Sequence, residues 1–382
     1  MRFIVSARCG RARAGVLHAM DGGGRYPVET PSLLLTTRKG LPAFVPRDHL
    51  LSSSLPFLPD SRLLHVSPLH FIECPSPKTI SKIGGLHRML GLQGYFFIAS
   101  PRDSILCLSE SDGTNKLGAS FETPCGRRLV KPAEYMCMIS SLKPDMWASL
   151  ADEVPSWVCD KRNKTSVDRT VRWLDECIDL DTEVGKNMLG AIVGGSSVEE
   201  RKRCATEVAR RNVSGYWIGG FGLGENFEER PALLSAVTVR PGKRTLDNLP
   251  EEKPRHVTGL GLPEEVLDGI AAGIDLFDST CVDSSDGAKI NLRATIYRKD
   301  TSPIANNCSC YTCLNHTRAY INHLLNVHEM LAQTLLEIHN THHYMGFFRS
   351  IREAIKAGEF DEFYQRFIDN RRGNLTLAAM SL

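Results

Sequence analysis

The apolar residues of this chain gather into short unbroken runs, and the stretches between them carry a helical period. The runs are Tyr95-Phe96-Phe97-Ile98-Ala99, Met146-Trp147-Ala148-Ser149-Leu150, Met188 to Val193, Val213 to Ile218, His256 to Leu260 and Ile274 to Phe277. A run without polar alternation is the mark of a strand covered on both faces, as in a parallel sheet. Between the runs, Ser166 to Leu180 puts Val171, Leu174, Cys177 and Ile178 on one helical face. Ser196 and Glu199 have the spacing of a capping box that opens the next helix. Residues 226 to 240 read as helical despite Pro231, and Leu262-Pro263-Glu264-Glu265 starts a further helix with proline in its first turn. Strands recurring roughly every 20 to 40 residues with helices between them argue for parallel βαβ units. At this length a closed (β/α)8 barrel of the TIM type, in the α/β class, accommodates them best. An open doubly wound sheet is the alternative, but no Gly-rich dinucleotide fingerprint follows any of the runs. In a barrel the active face lies at the carboxyl ends of the strands. That rule singles out Ser100, Asp152, Val193, Gly220, Phe221 and Asp278.

The flanks are patterned differently. Residues 1 to about 60 read as short strands and turns, with Gly22-Gly23-Gly24 as a turn and Thr30-Pro31 and Val45-Pro46 bounding extended pieces. Ser279 to Pro303 is a polar connection with a candidate strand at Ile290 to Tyr297, and a long loop of this kind is usually functional. Leu314 to Met345 contains neither Pro nor Gly and predicts a long helix. Phe348, Ile351, Ile355, Phe360, Phe363 and Phe367 recur at helical spacing, which predicts a second helix from Phe347 to Phe367, with the tail frayed after Arg371. The expected organisation is a barrel with N-terminal strands over 1–303 and a helical region over 304–382 packed on it.

Composition changes this picture little. Among 382 residues, 42% hydrophobic and 24% charged content is ordinary for a globular chain. A net charge of +2 is too small for nucleic-acid binding to follow from the overall field, so any such contact needs a local patch. No run of 18 apolar residues occurs, so no membrane-spanning helix is expected. Arg2, Arg8, Arg11 and Arg13 precede the first acid, Asp21, a composition shared by transit peptides and by a basic first strand and turn.

The densest chemistry lies at Cys308-Ser309-Cys310-Tyr311-Thr312-Cys313. Three thiolates within six residues can close on one metal ion, and tetrahedral zinc readily accepts a fourth ligand from imidazole. His316, His323, His328, His339, His342 and His343 are all candidates, and spacing alone leaves the choice open. Leu325, Ala332, Leu336, His339 and His343 fall near one helical face, so His339 could point inward. Reduced structural thiols are the bland alternative. A disulfide framework is disfavoured, because the twelve cysteines show no secreted pattern.

The Cys-x-Cys-x2-Cys cluster followed by His339-Asn340, together with Asn315-His316-Thr317-Arg318-Ala319-Tyr320-Ile321, resembles the zinc signature of the tRNA-guanine transglycosylase family. That family exchanges a guanine in tRNA for a deazaguanine base. The resemblance implies one zinc ion per chain, with His339 as fourth ligand, and an N-terminal region that caps the bottom of the barrel. Ala12-Arg13-Ala14-Gly15-Val16-Leu17 resembles the family's start, which favours strand over transit peptide.

The mouth departs from the catalytic pattern. Where catalytic members end a strand with Asp-Ser-Gly-Gly, this chain reads Ala99-Ser100-Pro101-Arg102-Asp103-Ser104, so Ser100 replaces the carboxylate that handles the base. Val193 replaces a base-binding Gln and has no donor or acceptor in its side chain. Asp152 matches the base-recognising Asp, and Gly219-Gly220-Phe221-Gly222 matches the glycine turn beside the base. Gly273 to Asp278 resembles the motif ending in the nucleophilic Asp, yet Ser279 to Ser284 lacks the Pro-Thr-Arg run that positions tRNA.

The resemblance therefore implies a non-catalytic subunit, paired through its zinc region with a catalytic queuine tRNA-ribosyltransferase subunit. It would help hold tRNA during exchange of guanine for queuine at the wobble position. The alternative is a catalytic transglycosylase using Asp278; a third reading is a zinc-stabilised binding protein. The resemblance also implies a cytoplasmic chain with peripheral contact at the mitochondrial outer membrane.

Overall fold

The computed structural model describes residues 2–18, 27–51, 62–103, 108–180, 187–238, 249–278 and 290–380, with side chains as far as Arg371. An antiparallel sheet of β1 (Arg2–Cys9), β2 (Ala12–His18) and β3 (Val28–Thr30) leads into β4 (Ser32–Thr36). Then come α1 (Arg47–Leu51), β5 (Leu63–Val66), α2 (Pro77–Ile83), α3 (Leu86–Leu90) and β6 (Phe96–Ala99). A second antiparallel sheet, β7 (Leu108–Asn115), β8 (Gly118–Thr123) and β9 (Gly126–Val130), precedes α4 (Pro132–Leu142). Strand and helix then alternate through β10 (Met146–Ala148), α5 (Asp160–Leu180), β11 (Met188–Ile192), α6 (Val198–Ala209), β12 (Gly215–Ile218), α7 (Arg230–Thr238), β13 (Arg255–Val257), α8 (Pro263–Ala271) and β14 (Leu276–Asp278). The chain continues with α9 (Tyr311–Asn315), α10 (Arg318–Asn326), α11 (Met330–Ala357) and α12 (Phe360–Met380).

Eight parallel strands, β4, β5, β6 and β10 to β14, form a closed barrel whose last seam is the pairing of β14 with β4. Nearly every residue on these strands is buried, since helices cover the outside and side chains fill the inside. That two-sided burial is why the strands read as unbroken apolar runs.

The N-terminal sheet is pinned to the barrel by a buried ion pair. Arg13 donates from Nε and Nη2 to both oxygens of Asp275, at 2.8 and 2.6 Å, and reaches the carbonyls of Glu251 and Lys253. Arg8 pairs with Glu251 nearer the surface. The basic N-terminal segment thus forms strands β1 and β2. α11 packs against β1, β2 and β4 and covers the β14–β4 seam. Phe348 packs on Phe277 with ring centroids 5.8 Å apart, and the Arg352 guanidinium donates to the Pro31 carbonyl at 3.1 Å.

Several expectations need correction. The first 60 residues do more than cap the barrel: Ser32–Thr36 and, just beyond, Leu63–Val66 are barrel strands, set among turns rather than between helices. The antiparallel sheet over 108–130 is also new. The other strand ends shift by one to three residues. The N-cap of α6 is Ser197, whose hydroxyl accepts the Glu200 N–H, rather than Ser196. Ile290 to Tyr297 is not a strand; a 3-10 turn spans Thr295–Lys299.

The helix predicted from Leu314 to Met345 is three helices. The Thr317 hydroxyl caps α10 by accepting the Tyr320 N–H, and His328, at φ 60°, turns the chain before α11. The helix predicted from Phe347 to Phe367 is broken at Gly358, which takes φ 77° as the C-cap of α11. Beyond Arg371 the backbone stays helical to Met380 instead of fraying. The glycine turn at 22–24, Asp21, Ser104 and the stretch Ser279 to Ser284 lie outside the described residues.

Candidate metal centre and barrel mouth

Cys308, Cys310 and Cys313 converge on the Nδ1 of His339, with Sγ to Nδ1 distances of 3.9, 3.4 and 3.3 Å. The ligand atoms all lie within 4.8 Å of one another. A tetrahedral zinc ion with ordinary bond lengths separates its sulfur and nitrogen ligands by about 3.5 Å, so the spacing fits. The loop is built for this task. Cys310 is the N-cap of α9, its sulfur accepting the Cys313 N–H, and the Cys310 N–H points at the Cys308 sulfur. Thr312 ties α9 to α11 by donating to the Leu335 carbonyl at 2.7 Å.

Burial pushes the Cys310 thiol well above the usual range and raises Cys313 too, with the Cys308 thiol adding to the effect on both. Thiolates so crowded and desolvated need a cation, and this donor set is compatible with zinc. Among the described residues, His339 is the histidine that completes the group. His316 stacks on Tyr320 instead, and the His343 ring lies tilted against that of His339, with centroids 4.5 Å apart. Under the site, Leu292, Ile304, Ile321, Leu324, Leu325, Ala332 and Leu335 form a small core separate from that of the barrel.

The barrel mouth carries a buried polar network. Ser100 is fully buried; its hydroxyl donates to the Arg102 carbonyl at 2.7 Å and meets His65 Nε2 at 2.6 Å. This bond folds the Pro101-Arg102 turn and sends Asp103 aside, where it pairs with His70. His65 is held neutral by burial, its pKa pushed down to about 4.

The Arg102 side chain, 4% exposed, crosses the mouth. Its Nε lies 3.1 Å from Glu153, and its Nη2 donates to the Phe221 carbonyl at 3.0 Å. Glu153 also accepts from the Gly220 N–H at 2.6 Å and from the Ser109 hydroxyl at 2.8 Å. Asp278 accepts from the Gly259 N–H at 3.3 Å. Burial lifts its carboxyl to about 7, with the Arg102 charge opposing the rise.

The remaining strand-end residues are turned to other uses. Asp152 is gripped by two arginines of α5: Arg162 donates to both of its oxygens, at 2.7 and 2.8 Å, and Arg169 donates at 3.0 Å. Both arginines also hold carbonyls of β7, which docks the inserted sheet. Val193 is in the core, its N–H directed at the Cys204 sulfur. Arg201, fully buried on α6, donates to the carbonyls of Gly195, Gly219 and Gly220 and lies 4.1 Å over the Phe221 ring. Thus Ser100, Gly220, Phe221 and Asp278 are brought together around Arg102 and Glu153, while the charge of Asp152 is directed to α5.

A sequence model of the family described as queuine tRNA-ribosyltransferase matches residues 8–373 of this chain. The chain belongs to the queuine tRNA-ribosyltransferase family. It is similar to two kinds of relative in that family. The protein named queuine tRNA-ribosyltransferase in Thermus thermophilus is 30% identical, covering 97% of this chain and 94% of that protein. Proteins named queuine tRNA-ribosyltransferase accessory subunit 2 are 32% identical in Xenopus tropicalis, over 94% of this chain and 97% of that protein, and 30% identical in Homo sapiens, over 94% and 96%.

Sequence reasoning about this family did not find Arg102, Glu153, Arg162, Arg169 or Arg201. Glu153 stands beside Asp152 at a strand end and was open to the same inspection. Nothing local marks a buried arginine, whose partners come from other strands. No helix among the described residues is long and apolar enough to cross a membrane.

Proposed function

We propose that this chain is the non-catalytic subunit of a queuine tRNA-ribosyltransferase heterodimer, supporting exchange of guanine for queuine at the wobble position of tRNA. The observation that carries this reading is the state of Ser100. Exchange needs a group that delivers a proton to the departing base and holds the incoming one. Here that strand end offers a hydroxyl already committed to His65 and to the Arg102 carbonyl.

Three neighbours support the reading. Val193 cannot hydrogen-bond a base through its side chain, Asp152 is neutralised by Arg162 and Arg169, and Asp278, at about 7, is only partly ionised at neutral pH. The rival reading, a catalytic transglycosylase with Asp278 as nucleophile, draws on the likeness to the Thermus thermophilus protein. A carboxylate nucleophile must be ionised to attack the ribose anomeric carbon.

In this reading one zinc ion is held by Cys308, Cys310, Cys313 and His339, and the zinc region, residues 304–382, docks the catalytic subunit beside the barrel of residues 1–303. The accessory-subunit names of the relatives support the partnership, and tRNA is the shared substrate. Cytoplasmic placement with peripheral contact at the mitochondrial outer membrane rests on the family resemblance alone.

The reading predicts a one-to-one complex by native mass when the chain is mixed with a catalytic queuine tRNA-ribosyltransferase subunit. Asp278→Asn in this chain should leave the exchange rate of the complex within about twofold of wild type, a change of roughly 0.4 kcal/mol in barrier. Separate species, or a collapse in rate, contradicts it.

A further inference from the structure

Arg102 occupies the space at the centre of the mouth. The guanidinium sits among Glu153, the Phe221 carbonyl, Asp278 and the backbone of Gly259. The fit is close: at Gly259, which takes φ 87°, a Cβ would lie 2.3 Å from the Phe221 carbonyl oxygen and 3.2 Å from Arg102 Nη2. Arg102, Glu153 and Asp278 are each 4% exposed and Phe221 is 0% exposed, so these contacts lie away from bulk solvent. A guanidinium is a planar fork of N–H donors. The N1–H and 2-amino group of guanine make a fork of the same kind, and a carboxylate beside a carbonyl is a matching acceptor set.

We propose that Arg102 is a built-in surrogate for the purine base, holding the recognition site of the barrel closed by making, from within the chain, the contacts that a base edge would make. This inference rests on the base-exchange reading and deepens it: the site is occupied rather than lost. The device needs three local features. The Ser100 hydroxyl bonds the Arg102 carbonyl and sets the turn, Asp103 is drawn away to His70, and Glu153 is already oriented by the Gly220 N–H and the Ser109 hydroxyl.

The test uses full-length Arg102→Ala, with Arg102→Gln as a second variant that keeps an amide donor for Glu153 should the alanine chain fold poorly. Guanine binding is followed by ligand-observed NMR, with adenine as control, and thermal unfolding is measured with and without millimolar methylguanidinium. Wild type should show no guanine signal. The variants should gain at least about tenfold in guanine affinity, equivalent to about 1.4 kcal/mol, and prefer guanine to adenine. Methylguanidinium should raise the Tm of the alanine chain and compete with guanine. Guanine binding to wild type as tight as to the variants overturns the proposal, because the mouth is then open. Failure of folded variants to bind guanine overturns it too. If methylguanidinium still raises the Tm in that case, Arg102 is a structural filler, and the subunit reading stands or falls separately on complex formation.

Discussion

Asp278 ends β14 in almost complete burial, and the loss of hydration lifts its carboxyl from the ordinary 3.8 to about 7. A raised folded-state pKa means that the neutral acid is favoured in the native chain. The stability this provides is full below pH 3.8 and is lost as pH rises through about 7. Asp278→Asn keeps an acceptor for the Gly259 N–H but removes the ionisation. It should match wild type in denaturant unfolding near pH 4 and exceed it near pH 8 by on the order of a few kcal/mol, at about 1.4 kcal/mol per pKa unit. A difference that does not vary with pH would contradict the burial argument. Residues at this scale were unequally legible. Ser100 and Val193 could be recognised as departures because a side chain that cannot perform a task is visible by its type alone. Arg102 could not, since arginine in a sequence ordinarily signals solvent, and its acceptors, which follow β10 and β12, reach it only when the barrel closes.

The element that joins the two hydrophobic cores is α11. One end of it supplies His339 to the thiol cluster; further along, Phe348 and Arg352 seal the β14–β4 seam. A metal ion bound there would clip α9 to a helix already packed on the barrel. Cys310→Ser, or removal of metal by a chelator, should reduce bound zinc from one per chain to none and raise amide hydrogen exchange across 304–326. Exchange in the barrel strands should be unchanged. Protection in 304–326 that survives loss of metal would mean that the small core of Leu292, Ile321 and Leu335 suffices without the clip. At this scale the cysteine spacing was readable, but the helix boundaries were not. The period carried smoothly through His328 and Gly358, although a left-handed backbone at each divides the helices, and Gly358 was a stop signal that the phenylalanine stripe concealed.

The whole molecule is a barrel whose interior strands announce themselves by unbroken apolar runs, because helices and core bury both of their faces. Six of those runs sufficed to indicate the architecture. β4 and β5 are no shorter than the strands that were legible, but they lie in a region rich in turns, without the strand–helix rhythm that marks the later units. The antiparallel insert over 108–130 was hidden for a different reason, since its outer strands are half exposed and mostly polar. The central claim is that this fold retains the frame of a base-exchanging enzyme while acting only as a partner. The most direct test is incorporation of labelled guanine into its cognate tRNA by the purified, zinc-loaded chain, alone and after mixing with an equimolar catalytic subunit. Label should enter tRNA only in the mixture, at a rate proportional to complex formed; turnover by the isolated chain would contradict the account.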